Sequence, residues 1–191
     1  MKIKPITEYC KLNTDNRILI TIYRGAKMSW YFVIRFLHII TAIMFMGGIF
    51  GRQLVRAYAK KTDDVHVFAA LSQGAGRIET VMIIPGNLAV IVFGVILALM
   101  TGAPMLGFLQ GASRNWLLVS NILLVVGLVI VPTVFVPRGK KFEPLLQKAL
   151  AEGRMTPELR AALDDKVVKF AHLYEEVAMV IVVALMVFKP F

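Results

Sequence analysis

The sequence has 191 residues, 58% of them hydrophobic, and a mean hydropathy of +0.70; soluble domains hold about 45–50% apolar residues, so an ordinary water-soluble fold is excluded. Lys and Arg number 22 against 12 Asp and Glu, a net charge of +10. The bases sit mostly between apolar blocks and do not interleave with aromatics, which points to anionic lipid headgroups and away from nucleic acid. Cys10 is the single cysteine, so an intramolecular disulfide and a cysteine metal cluster are excluded too.

The apolar excess falls in four blocks, about 30–50, 81–100, 116–136 and 170–188, each near the ~20 residues that cross the hydrocarbon core. The expected fold is all-α: an integral membrane four-helix bundle over 30–191, preceded by an extension or tail at 1–29. Met28-Ser29-Trp30 would make a natural start for such a protein, and Ile18–Tyr23 is too short to span. Block one opens on Trp30-Tyr31, an interfacial aromatic pair. The following segment begins basic, then shows a cap-like Thr62-Asp63-Asp64 before the apolar-periodic Val65–Arg77. This predicts a cytoplasmic helix feeding block two. Within block two, Pro85-Gly86-Asn87 predicts a kink or a local backbone opening. Gly94, Ala98 and Gly102, spaced four apart, form a small-residue stripe against which a neighbouring helix can pack closely.

The link 101–115 reads as a short external loop. Block three contains Asn121 and Pro132, and Pro137-Arg138-Gly139-Lys140-Lys141 marks its cytoplasmic exit. Thr156-Pro157-Glu158 is an N-cap with Pro at the first helical position, the start of a helix expected to run unbroken into block four. The segment 51–80 carries five Lys and Arg, 101–115 one, and 137–169 eight. The positive-inside rule then puts the first and third connections in the cytoplasm and both termini outside. The six bases of residues 1–29 oppose that orientation; an N-terminus at Met28 would remove them.

Positions three and four apart share a helix face. On block one this aligns Arg35, His38, Thr41, Phe45, Gly48 and Arg52 in one stripe. Arg35 and Arg52 are 17 residues apart, ~25 Å along a helix, so each reaches its own face of the hydrocarbon. His38 lies one turn inward of Arg35. An ionisable residue within a membrane helix is a functional candidate, and three roles stand open for it. One is axial ligation of haem b with Arg35 pairing a propionate. The second is a proton or copper site, which makes His38 the metal-ligand candidate. The third is a hydrogen bond to a neighbouring helix. His172 enters block four at the opposite depth, ~15–20 Å away along the axis, and cannot share one iron with His38. Met179 and Met186 on block four, or a second protein, are better-placed partners by depth. His66 reads as a surface residue.

A second polar group, His172, Glu175, Glu176 and Met179, follows helical spacing at the inner end of block four. Acids there need partners, and Arg52, Arg77 and Glu79 lie at the same depth. The structural reading is an ionic network of Arg52 or Arg77 with Glu175; the functional reading is a proton-uptake or substrate site on the cytoplasmic face. No dinucleotide fingerprint, P-loop, zinc-protease motif or nucleophile elbow occurs.

The stretches RFLHIITAIMFMGGIFGR, IIPGNLAVIVFGVILAL, WLLVSNILLVVGLV and the ending ALMVFKPF resemble the bacterial predicted integral membrane proteins of domain-of-unknown-function family 2269. The resemblance covers about residues 30–191 and implies four helices, with no established activity; the expected location is a bacterial inner membrane. His38, Gly48 and Arg52 are also similar to the first-helix pattern of the HemJ protoporphyrinogen oxidases, which implies haem binding, and of the CopD-type copper-resistance proteins. The Trp that precedes the glycines in HemJ proteins is Phe45 or Met46 here, and no PRL follows. The expected function is therefore a haem-b or redox-linked membrane protein. The alternatives are a non-catalytic subunit that pairs with itself or with another membrane protein, and a copper or small-solute transporter-like protein.

Overall fold

The computed structural model describes residues 6–191, with side chains from Ser29 onward; the expectation for residues 1–29 lies outside the described side chains. The described chain is helical, without a strand. The helices are α1 (Ile6–Ala59), α2 (Val65–Ile78), α3 (Ile84–Thr101), α4 (Trp116–Ile130), α5 (Val136–Glu152), α6 (Pro157–Leu163) and α7 (Lys166–Phe188). Two five-residue π-helical turns, Glu79–Ile83 and Val131–Phe135, join α2 to α3 and α4 to α5 without a break. Four stretches are long and apolar enough to cross a membrane: Ser29–Ala59, Val65–Thr101, Trp116–Glu152 and Pro157–Phe188. The protein is a four-helix integral membrane bundle.

Each π turn lies beside a proline. Pro85 follows the first by two residues, and Pro132 is the second residue of the other. Proline has no N–H to give to the carbonyl four residues back, and its ring crowds that carbonyl. A widened turn relieves the crowding while the helix continues. The expected opening at Pro85-Gly86-Asn87 thus takes the form of a π turn just before it.

Local side chains set the helix starts. Asp64 accepts N–H bonds from His66 (2.8 Å) and Val67 (3.2 Å) and starts α2. Thr156 accepts from Leu159 N and starts α6. Contrary to expectation, α6 ends at Leu163, and α7 opens on its own cap, Asp165, which bonds Val167 N and Val168 N. A second difference concerns Pro137 to Lys141, which do not end a helix. The prolines at 132 and 137 fall at or next to the widened turn, and α5 runs on to Glu152. Gly102 also departs from the stripe assigned to it: it is the left-handed cap of α3, with φ of 65° and no neighbouring atom where a Cβ would stand.

α1 packs along α3, and α4 along α7. Two glycines set the first pair's spacing. A Cβ on Gly48 would come 2.8 Å from Ile83 Cγ1, and one on Gly86 would come 3.1 Å from the backbone N of Phe45. Close backbone approach of this kind replaces the hydrophobic drive that lipid removes. At one end of the bundle, the ends of α1 and α2 pack with α5 and α6 to form a cap. Its core is Ala59, Val65, Phe68, Leu146, Ala149 and Leu159, with Phe142 edging the Phe68 ring at 6.2 Å. Along the bundle, Leu88, Val125 and Val180 face outward, where lipid replaces protein as their solvent. At the other end, Asn121 Nδ2 donates to Met105 O (2.9 Å), and the backbone oxygen of Phe191 accepts from Asn115 N and Trp116 N. Lys189 lies over the Trp116 ring.

A buried ion cluster beside a cavity as the candidate functional site

At the capped end of the bundle, α1, the first π turn, the second π turn and α7 each contribute a polar or aromatic side chain to one point. Arg52, on α1, is only 2% exposed. Its Nη2 donates to Glu175 Oε2 at 2.5 Å, and Nη1 lies 3.5 Å from Glu79 Oε2. Helical spacing puts His172 and Glu175 on one face of α7, and His172 Nδ1 lies 3.0 Å from the same Glu175 oxygen. Arg56, one turn along α1 from Arg52, bonds His172 Nε2 through Nη1. An arginine has no acceptor to offer. His172 therefore accepts from Arg56 at Nε2 and donates from Nδ1–H to Glu175. That is the neutral tautomer, and both ring nitrogens are used. Phe135, in the second π turn, stacks on the imidazole at 4.5 Å and 21°, and its ring lies 5.9 Å from Arg52 Cζ. An aromatic face stabilises a guanidinium near it.

This arrangement is costly to dehydrate and costly to break. Buried ions stabilise a fold only when their hydrogen bonds are nearly complete. Here two donors remain open: Arg52 Nε and Gln53 Nε2 are buried without a partner among the described residues. Both residues line a cavity of about 1310 Å³ between the bundle and its cap. Further along its wall lie Arg56, Lys60, Arg138 and Lys141. Arg138 is paired with Asp165 at 2.8 Å. Beyond the end of α1, the Lys60 ammonium is held below its ordinary pKa, first by burial and then by the like charge of Lys169. Asp164 opposes that shift and Arg56 adds to it.

The sequence-predicted residues divide clearly. Arg52, Glu175 and His172 meet, as a network with Glu79. Arg77 is exposed, and neither it nor Glu176 forms an ion pair among the described residues. The spacing missed Arg56 as the partner of His172, along with Gln53 and Phe135. Arg52 and Arg56 are separated by four residues, and that one-turn interval was the available signal. Nothing in the pattern marked Phe135, because the widened turn at Val131–Phe135 changes the face that residue presents.

His38 belongs to a different place, ~21 Å along α1 from Arg52 at the helical rise. Its Nδ1–H donates to the backbone oxygen of Val90 on α3 at 3.0 Å. A Cβ on Gly94 would stand 3.1 Å from His38 Cε1, so that glycine makes room for the ring. Arg35 is exposed. Met179 and Met186 are on α7, which packs along α4, whereas the imidazole rests on α3. Among the described residues, no three His, Cys, Asp or Glu side chains gather to hold a metal ion.

No curated protein and no solved structure matches the chain, so the HemJ and CopD likenesses gain no support from them. One family model does match, over residues 32–190, and its description is a predicted integral membrane protein. The four apolar helices agree with that description, and the chain belongs to the DUF2269 family of predicted integral membrane proteins.

Proposed function

We propose that the protein binds a small solute in the cavity beside Arg52 and works as a transporter-like membrane protein. One observation carries the reading: a cavity of about 1310 Å³ meets a buried ion cluster at the depth where both π turns interrupt regular helix. Ligand cavities commonly span ~300–1,000 Å³, so the space admits a small solute with water around it. Buried ionisable groups in membrane helices commonly mark solute and ion paths, and widened turns concentrate at functional positions. In this reading the membrane is a bacterial plasma membrane, with the basic cap inside and both termini outside. Labelling from each side on a Cys10→Ser background tests that orientation. The reading expects His66→Cys to react from the cytoplasm and Gln110→Cys from outside; the reverse pattern overturns it.

The experiment for the function itself is thermal unfolding of the protein in nanodiscs against anionic, neutral and cationic solutes. At least one solute raises Tm saturably in the native protein and fails with Phe135→Trp, which crowds the cavity. If none raises Tm, the solute reading falls and a partner-subunit role takes its place.

A second reading rests on His38. Its Nδ1–H bond to Val90 O leaves the Nε2 lone pair available, the tautomer of an imidazole that ligates iron or copper through Nε2. A bound haem b would supply one-electron chemistry. The residues fit that group in tautomer alone, since Met179 and Met186 lie on a helix packed elsewhere. An absorption spectrum of protein made with ample haem, together with copper analysis, decides it. A Soret band lost in His38→Ala supports haem. A colourless, copper-free protein ends this reading.

A further inference from the structure

The cavity wall carries six Lys and Arg, at 52, 56, 60, 138, 141 and 169, against three carboxylates, Glu79, Glu143 and Asp165. Arg52 is nearly fully buried, and its Nε–H has no acceptor among the described residues. The buried amide nitrogen of Gln53 likewise has none among them. Arg56 has no carboxylate oxygen within 4 Å among the described residues, and a histidine nitrogen is its recorded acceptor. Lys60 continues the same side of α1 two turns beyond Arg52. At ~100° per residue, positions 52, 53, 56 and 60 fall on one helix face.

These donors differ from the rest of the cluster. Glu175 and Glu79 already neutralise the guanidinium tip of Arg52 through Nη1 and Nη2. One turn away lies a second guanidinium, that of Arg56, without a carboxylate within 4 Å among the described residues. Arginine presents its N–H groups as a planar fork that matches the oxygens of a carboxylate or phosphate. A cation in this position would meet Arg52, Arg56 and Lys60 as like charges. A neutral solute would leave their charge uncompensated.

We propose that the cavity is an anion site, in which the Arg56 guanidinium and Lys60, beside the buried Arg52, bind the oxygens of a phosphate or carboxylate group. The proposal rests on the solute-binding reading and narrows its ligand class. Two sources present that chemistry: a free anion in solution and the headgroup of an anionic lipid.

The test is a binding titration of the full-length protein in nanodiscs, read by Tm and by native mass spectrometry. The probes are inorganic phosphate, succinate, choline and glucose in phosphatidylcholine discs, followed by phosphatidylglycerol discs without added anion. Phosphate or succinate binding, or phosphatidylglycerol retained through native mass spectrometry, supports the proposal and identifies the source. Arg56→Gln weakens that binding at least tenfold, and Lys60→Gln, an exposed position that leaves the fold intact, weakens it at least threefold. Arg160→Gln, which removes an outer cap ion pair to Asp63, leaves it unchanged. Saturable binding of choline or glucose alone overturns the anion assignment and keeps the solute reading. Anion binding indifferent to both Arg56→Gln and Lys60→Gln overturns the assignment to this site. Binding of no probe overturns both.

Discussion

At the scale of single residues, the decisive contacts are those that leave a partner exposed when one member is removed. Replacing Arg52 by Met removes the guanidinium paired with Glu175 and Glu79 in a site where Glu175 is only 14% exposed. Breaking one side of a buried pair costs ~3–5 kcal/mol, whereas removing both members is often nearly neutral. The expected outcome is a large fall in Tm for Arg52→Met and partial recovery in Arg52→Met/Glu175→Gln, measured by thermal unfolding in one detergent. Gly94→Ala is a smaller perturbation. Its methyl group crowds His38 Cε1, and the displaced ring loses Val90 O, a bond of ~0.5–1.5 kcal/mol. Equal Tm for Gly94→Ala and native protein would mean that His38 and α3 adjust without loss. Helical spacing made part of this visible in advance: His172 and Glu175 share a face, and Arg52 lies at their depth. Spacing does not tell which of the arginines at one depth faces inward: the expected network named Arg52 or Arg77 and left out Arg56. Arg77 lies on the outer side of α2 near the π turn, and Arg56 lies on the same face of α1 as Arg52.

At the scale of elements, proline shapes the bundle more than it interrupts it. Four apolar blocks and the caps at Asp64 and Thr156 were legible, because a ~20-residue apolar run and a capping side chain are local properties. The continuity of α4 into α5 was not, because Pro137 and Gly139 read locally as the exit of block three. A widened turn tolerates both prolines, and the membrane helix becomes part of the cap. Pro132→Ala restores an N–H to the α4–α5 backbone and removes the reason for the π turn. Since an interior proline costs ~3 kcal/mol, Tm should rise. Solute binding should fall, because returning Val131–Phe135 to α-helix rotates Phe135 away from His172. A rise in Tm with unaltered binding would show that the turn has no part in the site. Gly48→Val tests the opposite pair. Its side chain meets Ile83 and Met82 on the first π turn, and overpacking of this kind costs ~1–3 kcal/mol.

At the scale of the whole molecule, burial is divided between two solvents. The cap holds the deeply buried Val65, Phe68, Ala149 and Leu159, apolar side chains that water forces together. The apolar outer faces of the helices are left to lipid. Phe68→Ala, at a position 1% exposed, should lower stability by ~3–5 kcal/mol. Leu88→Ala, at a position 65% exposed, should change it by no more than ~0.5 kcal/mol in nanodiscs. Equal losses would mean that the bundle surface is packed by protein after all. This division also has a mechanical consequence. The recorded side-chain bonds between α1 and α7 gather at Arg52, Arg56, His172 and Glu175, so the two helix pairs are joined near one end like the arms of tongs. With arms ~25 Å long, a tilt of ~5° at that pivot moves the far tips ~2 Å.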